Sequence, residues 1–371
     1  MKKIVSLILV LGICLSFSAC GSKENATNSS DVNSQVTEIE HTGKKIDGEI
    51  TGASIFSEGL AFVCLNGDKE KTYCINNDGY IVFELDFRVV DSTGEIDSKF
   101  INGLAKVGEG ICDTKGNITM PTDVGATAFC DIALDGGYII VEKITSDFES
   151  STKELGVMNT KFEWIIKPSE ELYNITGGIS MIPDNTQCFY YDGYFYFEDS
   201  QKYLNLKTGE IKDTVDSFPS KQWVNTDKCF YDYNNNEMLN LENNATINMP
   251  AGSGFVNGKS PIRFINKETN KYYFTLIDEK GEFLFEPATT IAFQNFVFDG
   301  ESVLVLDQSI NPKTIASYSI DGQLLGQIET ETIVKNHSFS CYVNEGVILL
   351  KAGRNFNYTH YYYNMDFTPL F

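Results

Sequence analysis

FINGLAKVGEGICDTKGNITMP, Phe100 to Pro121, decides how the chain is to be read. An Asn102-Gly103 pair opens a short apolar strand, Leu104 to Val107, and a second strand then runs into the turn Thr114-Lys115-Gly116-Asn117 before a third begins. Asn and Gly accept the left-handed backbone that tight hairpin turns require. The stretch carries no nucleophile and base set within itself. Two or three short strands are marginal alone in water, so this unit needs neighbours on its faces.

The same arrangement recurs along the chain. Openings of the same kind stand at Glu58-Gly59, Gly136-Gly137, Asp192-Gly193, Asn257-Gly258, Asp299-Gly300 and Glu345-Gly346. A strand-turn-strand segment follows each, as in YCINNDGYIVFEL, LGVMNTKFEWIIKP, YLNLKTGEIKD and ASYSIDGQLLGQI. The turn positions are Gly79, Gly116, Phe162, Gly209, Asn236, Gly281, Gly322 and Phe367, spaced 37, 46, 47, 27, 45, 41 and 45 residues apart. Helix-period patterning is missing after the N-terminal run, while short Val, Ile, Tyr and Phe runs bounded by Gly, Asn and Asp are everywhere. A period near 40 residues marks a repeat protein. The expected fold is all-β: a β-propeller of about seven to eight small blades, with an open β-solenoid of hairpin repeats as the alternative. The propeller is preferred because a ring leaves fewer exposed edges. Residues 46–371 are read as one such domain.

FSEGLAFV (Phe56 to Val63), INGLAKV (Ile101 to Val107) and ELGVMNTKFEWIIKP (Glu154 to Pro168) resemble the bacterial WG-containing repeat. Leu155-Gly156-Val157-Met158-Asn159 stands where that family has W-G-Y-I-D, and Trp164 to Pro168 where it has the closing strand. The chain has no Trp-Gly dipeptide, and its best unit has Phe162 at the turn glycine. The resemblance implies an extracytoplasmic β-repeat protein and no particular activity.

The N-terminus supplies an address. Lys2 and Lys3 precede an apolar run from Ile4 to Leu15, which is too short for a membrane span and reads as an export signal over residues 1–19. It ends in Phe17-Ser18-Ala19-Cys20-Gly21, which resembles a lipobox. That implies a diacylglycerol-modified Cys20, acylated by chains such as palmitate, and a protein anchored at the outer face of the cell membrane. Residues 20–45, rich in Ser, Asn, Thr and Glu, are expected to be a flexible tether. Loss of Lys2 and Lys3 takes the formal charge from −22 to −24, which argues against nucleic acid as a partner.

Chemistry is sparse. After Cys14 and Cys20, seven cysteines remain, with no C-x-x-C pair, so no disulfide framework is expected. A bridge between Cys64 and Cys74, which flank a hairpin loop, stays open. His41, His337 and His360 are the only histidines, and no zinc, phosphate-loop or serine-hydrolase motif includes them or stands elsewhere. Asp232, Asn234 and Asn236 have the alternate spacing of the first half of a calcium loop, yet Glu237 replaces its glycine and Asn243 its bidentate Glu. The acidic cluster Asp86, Asp91, Glu95 and Asp97 reads as a solvated connection. No metal or other cofactor is expected.

Aromatic residues are the better lead. CFYYDGYFYFED, Cys188 to Asp199, offers Tyr190, Tyr191, Tyr194 and Tyr196, of which Tyr190, Tyr194 and Tyr196 share a face if the turn preserves phase. Such tyrosines can stack on sugars or bind peptide, or pack between blades. YYY, Tyr361 to Tyr363, repeats the excess. The expected function is therefore a membrane-tethered binding or interaction module for a glycan or protein ligand, without an evident catalytic role. The alternatives are a propeller-type glycosidase or lyase and a structural partner at the envelope. The inserts Glu142 to Lys153 and Ser180 to Tyr196 are where the copies differ most.

Overall fold

The computed structural model describes residues 39–371 apart from positions in the connections, chiefly 90–95, 132–136, 147–150, 177–189, 216–222, 233–236, 241–244, 249–255, 267–269, 279–281, 291–293, 308–313 and 334–337. Those residues form eight antiparallel meanders in chain order, each paired only within itself. The first blade is β1 (Ile50–Ala53), β2 (Leu60–Leu65), β3 (Thr72–Asn76) and β4 (Ile81–Leu85). The second is β5 (Leu104–Val107), β6 (Gly110–Asp113) and β7 (Ile118–Thr119); the third is β8 (Ala128–Asp131), β9 (Tyr138–Ser146), β10 (Ser151–Asn159) and β11 (Trp164–Ser169). The fourth comprises β12 (Tyr190–Tyr191), β13 (Tyr194–Phe197), β14 (Lys202–Asn205) and β15 (Ile211–Lys212). β16 (Trp223–Thr226), β17 (Cys229–Asp232), β18 (Glu237–Asn240) and β19 (Ala245–Asn248) make the fifth; β20 (Lys259–Asn266), β21 (Lys271–Asp278) and β22 (Ala288–Thr290) make the sixth. The seventh has β23 (Gln294–Phe298), β24 (Ser302–Asp307), β25 (Thr314–Ser319) and β26 (Leu324–Glu329), and the eighth β27 (Ser338–Asn344), β28 (Val347–Arg354) and β29 (Asn357–Asn364).

The punctuation read from the sequence has a physical basis. At the openings, Glu58-Gly59, Asn102-Gly103, Asn257-Gly258 and Glu345-Gly346 all have positive φ at both residues, the backbone of a type I′ hairpin turn. At the second series, Gly79, Gly116, Phe162, Gly209, Gly322 and Phe367 are left-handed. Most of these turns repeat one hydrogen-bond set. The Gly79 N–H donates to the Asn76 carbonyl (2.9 Å) and the Asn76 N–H to the Tyr80 carbonyl (3.0 Å). The same pair closes the turns at Asp113, Asn159, Ser319 and Asn364. A polar side chain at that first position completes it: Asn76 Oδ1 accepts from the N–H groups of Asp78 and Tyr80, Asp113 Oδ1 from Lys115 and Asn117, and Asn159 Oδ1 from Lys161 and Glu163. Asn and Asp recur there because their short side chains satisfy turn amides that no strand can reach.

Among the described side chains, consecutive blades pack face to face. Leu60 and Phe62 of the first blade share a core with Ala105 and Val107 of the second, and Ile111 with Ile139 and Val141 of the third. Val157 meets Phe195 and Leu204 of the fourth, Phe274 meets Val303 of the seventh, and Leu304 meets Ile348 of the eighth. The series then turns back on itself, because Val347, Leu349 and Tyr362 of the eighth blade are buried with Ile50, Val63 and Ile75 of the first. This is a β-propeller, in which small sheets are covered by their neighbours; the side chains of the fifth blade lie outside the described residues. No strand is exchanged at the seam between the eighth blade and the first: the sheets on its two sides are paired only within themselves.

Two devices repeat at these junctions. One joins the opening turns: the Glu345 carboxylate accepts from the N–H groups of Glu58 (2.6 Å) and Gly59 (3.0 Å), and the Glu58 carboxylate accepts from the Gly103 N–H (2.8 Å). Beside them, Asn344 Nδ2 donates to the Phe56 carbonyl (2.7 Å) and Ser57 Oγ to the Phe100 carbonyl (2.6 Å). The other device matches volumes. At four junctions an apolar side chain, Phe83, Ile166, Phe285 or Phe371, lies over the turn glycine of the next blade. A Cβ on Gly116 would lie 2.7 Å from Phe83 Cγ, one on Gly322 2.5 Å from Phe285 Cγ, and one on Gly79 2.8 Å from Phe371 Cγ. Where the turn residue is Phe367 instead, the covering position of the seventh blade is Gly326, whose Cβ would meet the Asp366 backbone at 2.8 Å.

Several expectations are corrected. One compact unit runs from Ile39 to Phe371, and within it the last stretch assigned to the tether bonds to the second turn of the first blade: Thr42 and Ile46 N–H donate to the carbonyls of Ile81 and Gly79, and Ile81 N–H to that of Lys44. Cys64 and Cys74 are free and buried; the register sets Cys74 opposite Phe62 and Cys64 opposite Gly52, so the two thiols do not face each other across the hairpin. The insert Glu142 to Lys153 contributes most of its residues to an extension of the β9–β10 hairpin, whose paired strands reach Ser146 and Ser151. There Lys143 pairs with Glu154 at 2.8 Å.

Gly322→Val puts a β-branched side chain into left-handed backbone and into Phe285, so chemical denaturation should show a loss of about 2–4 kcal/mol. The turn carboxylates give a pH signature. Burial raises the Asp113 carboxyl, but the Asn117 amide and the backbone N–H groups of Asn117 and Lys115 outweigh it and leave it below the usual range. Asp321 is lowered by the Ser319 hydroxyl and Asp366 by that of Thr368. Groups depressed in the folded state stabilise it above the unfolded value and lose that contribution as pH falls through the folded one. Tm should therefore decline as pH drops below about 4.

Candidate functional site

The seam creates a cleft of about 640 Å³, within the usual range of ligand sites. One wall is the crossing from Lys45 to Ile50, which carries the chain from the outer edge of the first blade to β1. The facing wall is β29 from Thr359 to Tyr363, with Pro369 and Phe371 beside it. Glu49 is held by both carboxylate oxygens: Thr359 Oγ1 donates to Oε1 (2.5 Å) and Asn66 Nδ2 to Oε2 (3.0 Å). Lys45 Nζ sits 4.8 Å from the centre of the Tyr80 ring, on which His41 stacks at 4.3 Å.

Behind this surface lie two ionisable side chains that the fold buries deeply. Lys351 and His360 are direct cross-strand partners, with 5% and 3% of their surface exposed. Both stand on the face of the eighth blade that carries Leu349 and Tyr362 against the first. Lys351 Nζ lies 4.2 Å from the Tyr358 ring centre, a cation–π geometry that compensates part of its lost hydration. Burial of lysine is uncommon enough to single it out. Its trace in the sequence is a cation inside the apolar run VILLKAG, and for His360 a polar ring inside THYYY. The cleft thus offers apolar area, a fixed carboxylate and the Lys45 ammonium, a mixture suited to recognition.

The expected aromatic site is arranged differently. Tyr191 pairs with Tyr194 and Tyr190 with Phe195, so the two-residue turn flips the parity. Tyr194 and Tyr196 share one sheet face, opposite to that of Phe195 and Phe197. Tyr196 is buried and packs on Tyr203 with ring centres 4.8 Å apart. Tyr194 Oη accepts from Lys212 Nζ at 2.8 Å; the side chains of Tyr190 and Tyr191 lie outside the described residues. In the Tyr361 to Tyr363 run, Tyr362 is structural. Its hydroxyl donates to the Ser54 carbonyl across the seam at 2.6 Å, while Tyr361 and Tyr363 pack toward the seventh blade.

Asn234 and Asn236 fall outside the described residues, as does the side chain of Asp232. Among the described residues no three His, Cys, Asp or Glu side chains converge on a metal position. Thiol chemistry is disfavoured as well: burial pushes Cys74 and Cys341 far up and Cys112 to about 12, so these sulfurs stay protonated and poorly nucleophilic.

No family model and no curated protein matches the chain. Solved structures overlap it loosely. Prolyl oligopeptidase B from Galerina marginata is 12% identical over 87% of this chain and 50% of its own, with a TM-score of 0.37. AztD from Citrobacter koseri is 10% identical over 87% of this chain and 94% of its own, with a TM-score of 0.34. The β-propeller domain of the trilobed protease from Pyrococcus furiosus is 11% identical over 86% and 84%, with a TM-score of 0.30. Overlaps this loose carry no argument, and the propeller assignment rests on the sheet order and the junctions.

If Tyr196 is a packing residue, Tyr196→Ala should cost about 3 kcal/mol in chemical denaturation. Tyr194→Ala, at a half-exposed position, should cost well under half of that.

Proposed function

We propose that the protein is a lipid-anchored interaction module at the extracytoplasmic face of the cell membrane, whose propeller presents surfaces for a glycan or protein ligand. Cys20 carries the diacylglycerol in this reading, and the unit resembling the WG-containing repeat serves as scaffold. The observation that supports it best is the division of labour within the chain. The repeated residues are taken up by turns and blade junctions, while Lys45 to Ile50, which leads into the first blade, walls the seam cleft. A propeller so built is rigid where its copies agree and free to vary at the cleft, the rim and the β9–β10 hairpin.

A propeller-type glycan-active enzyme is less well supported. Glu49, the carboxylate most firmly placed at the cleft, has both oxygens engaged by Thr359 and Asn66, whereas glycoside hydrolysis needs a pair of carboxylates flanking one bond. Membrane fractionation tests the anchor. The native chain should sediment with membranes and incorporate labelled palmitate. Cys20→Ala should move it to the soluble extracytoplasmic fraction without label, and retention of that variant in the membrane would overturn the reading.

A further inference from the structure

We propose that the outer rim of the sixth and seventh blades is a docking surface for an extended, amphipathic, basic peptide segment of a partner. This rests on the interaction-module reading and says where on the ring the partner sits. The repeat provides its own comparison. Two residues after the second turn, the outer strand carries Ile81, Ile118, Trp164 and Ile211 in the first four blades, and each is packed into a core. The same position in the sixth and seventh blades is Phe283 and Leu324, which are 54% and 50% exposed. Leu284, Ile320 and Leu325 are exposed beside them. The two groups adjoin, because the Phe285 ring lies over Gly322.

The first blade shows what covers such an edge. There residues 42–46 bond to Gly79 and Ile81, at the second turn and the first residue of β4, through Thr42, Lys44 and Ile46 backbone groups, with Lys45 bridged to Tyr80. The backbone of β26 pairs with β25 on one side, and β26 is the outermost strand of its sheet. It therefore offers the same kind of ladder to an added strand.

Charge selects the occupant. Glu282, Glu286, Asp321 and Glu329 are exposed around the apolar side chains, and residues 282–288 and 314–330 contain no Lys or Arg. A second copy of this chain would bring the same carboxylates against them, and an anionic bilayer would also be repelled. A strand with apolar residues on one face and Lys or Arg on the other satisfies both features, and the chain's charge of −22 would speed its approach.

The test uses the secreted Cys20→Ala chain, which needs no detergent, and fluorescence anisotropy with a fluorescein-labelled peptide of alternating leucine and lysine. Binding should weaken at least about tenfold in Phe283→Ser/Leu324→Ser and in Glu282→Lys/Glu329→Lys. It should also weaken with added salt and stay unchanged in Ile165→Ser, a rim substitution on the third blade. Thermal melts should show all four proteins equally folded, since the altered side chains are exposed. Equal binding of an alternating leucine–glutamate peptide, or undiminished binding by the first double variant, would overturn the proposal. So would sedimentation of a dimer that this variant dissolves, or flotation with phosphatidylcholine–phosphatidylglycerol vesicles that it abolishes. Membrane fractionation reports on the tether separately, so loss of one reading is distinguishable from loss of the other.

Discussion

A sheet of three or four short strands cannot bury either face by itself, so the eighth blade must find a partner, and that partner is the first. The Tyr362 hydroxyl reaches the Ser54 carbonyl, the Phe56 ring meets Tyr362 edge-on at 4.9 Å, and the Glu345 carboxylate takes two amides of the first opening turn. These contacts join residues 286 to 308 positions apart in sequence. Closing so long a loop costs only a few kcal/mol more than closing a short one, and the apolar area covered on both sheets exceeds that readily. Without this junction two sheet faces would be left open to water.

Volume matching gives the ring its pitch. Aromatic rings over turn glycines set how near one outer strand can lie to the next turn, and the pair Gly326 and Phe367 reaches the same fit with the roles exchanged. Left-handed backbone costs a phenylalanine about 1–3 kcal/mol. Packing offsets it: Phe367 lies against Tyr363, and Phe162 against Phe129. The opening turns add a chain of carboxylate-to-amide bonds, in which charge-assisted contacts replace a shared strand.

The turn periodicity was legible because left-handed backbone leaves a compositional mark, and even Phe162 and Phe367 stood at the right spacing. The carboxylates and amides of the openings were legible as turn residues but not as bridges to the next blade, since a one-dimensional pattern does not say which neighbour a side chain meets. The contact of residues 42–46 with the first blade was not legible because it is made to Gly79 and Ile81 chiefly through backbone atoms, which composition does not reveal. The tyrosine face was misjudged for a parity reason: a two-residue turn pairs Tyr191 with Tyr194 and reverses the phase assumed for Tyr190. The seam cleft assembles residues from both ends of the chain. The run THYYY, with His360 inside it, and Lys351, a charge within an apolar strand, were its traces in the sequence.

The central claim is that the last blade covers the first, and one distance tests it. Spin labels at Glu49→Cys and Thr359→Cys, on a chain whose other thiols have been replaced, can be measured by dipolar broadening of continuous-wave spectra, with double electron–electron resonance reporting any longer distances. These positions touch in the structure, so the account predicts a single short and narrow distance in solution. A long or broad distribution from a folded protein would contradict it and favour an open array of the same repeats.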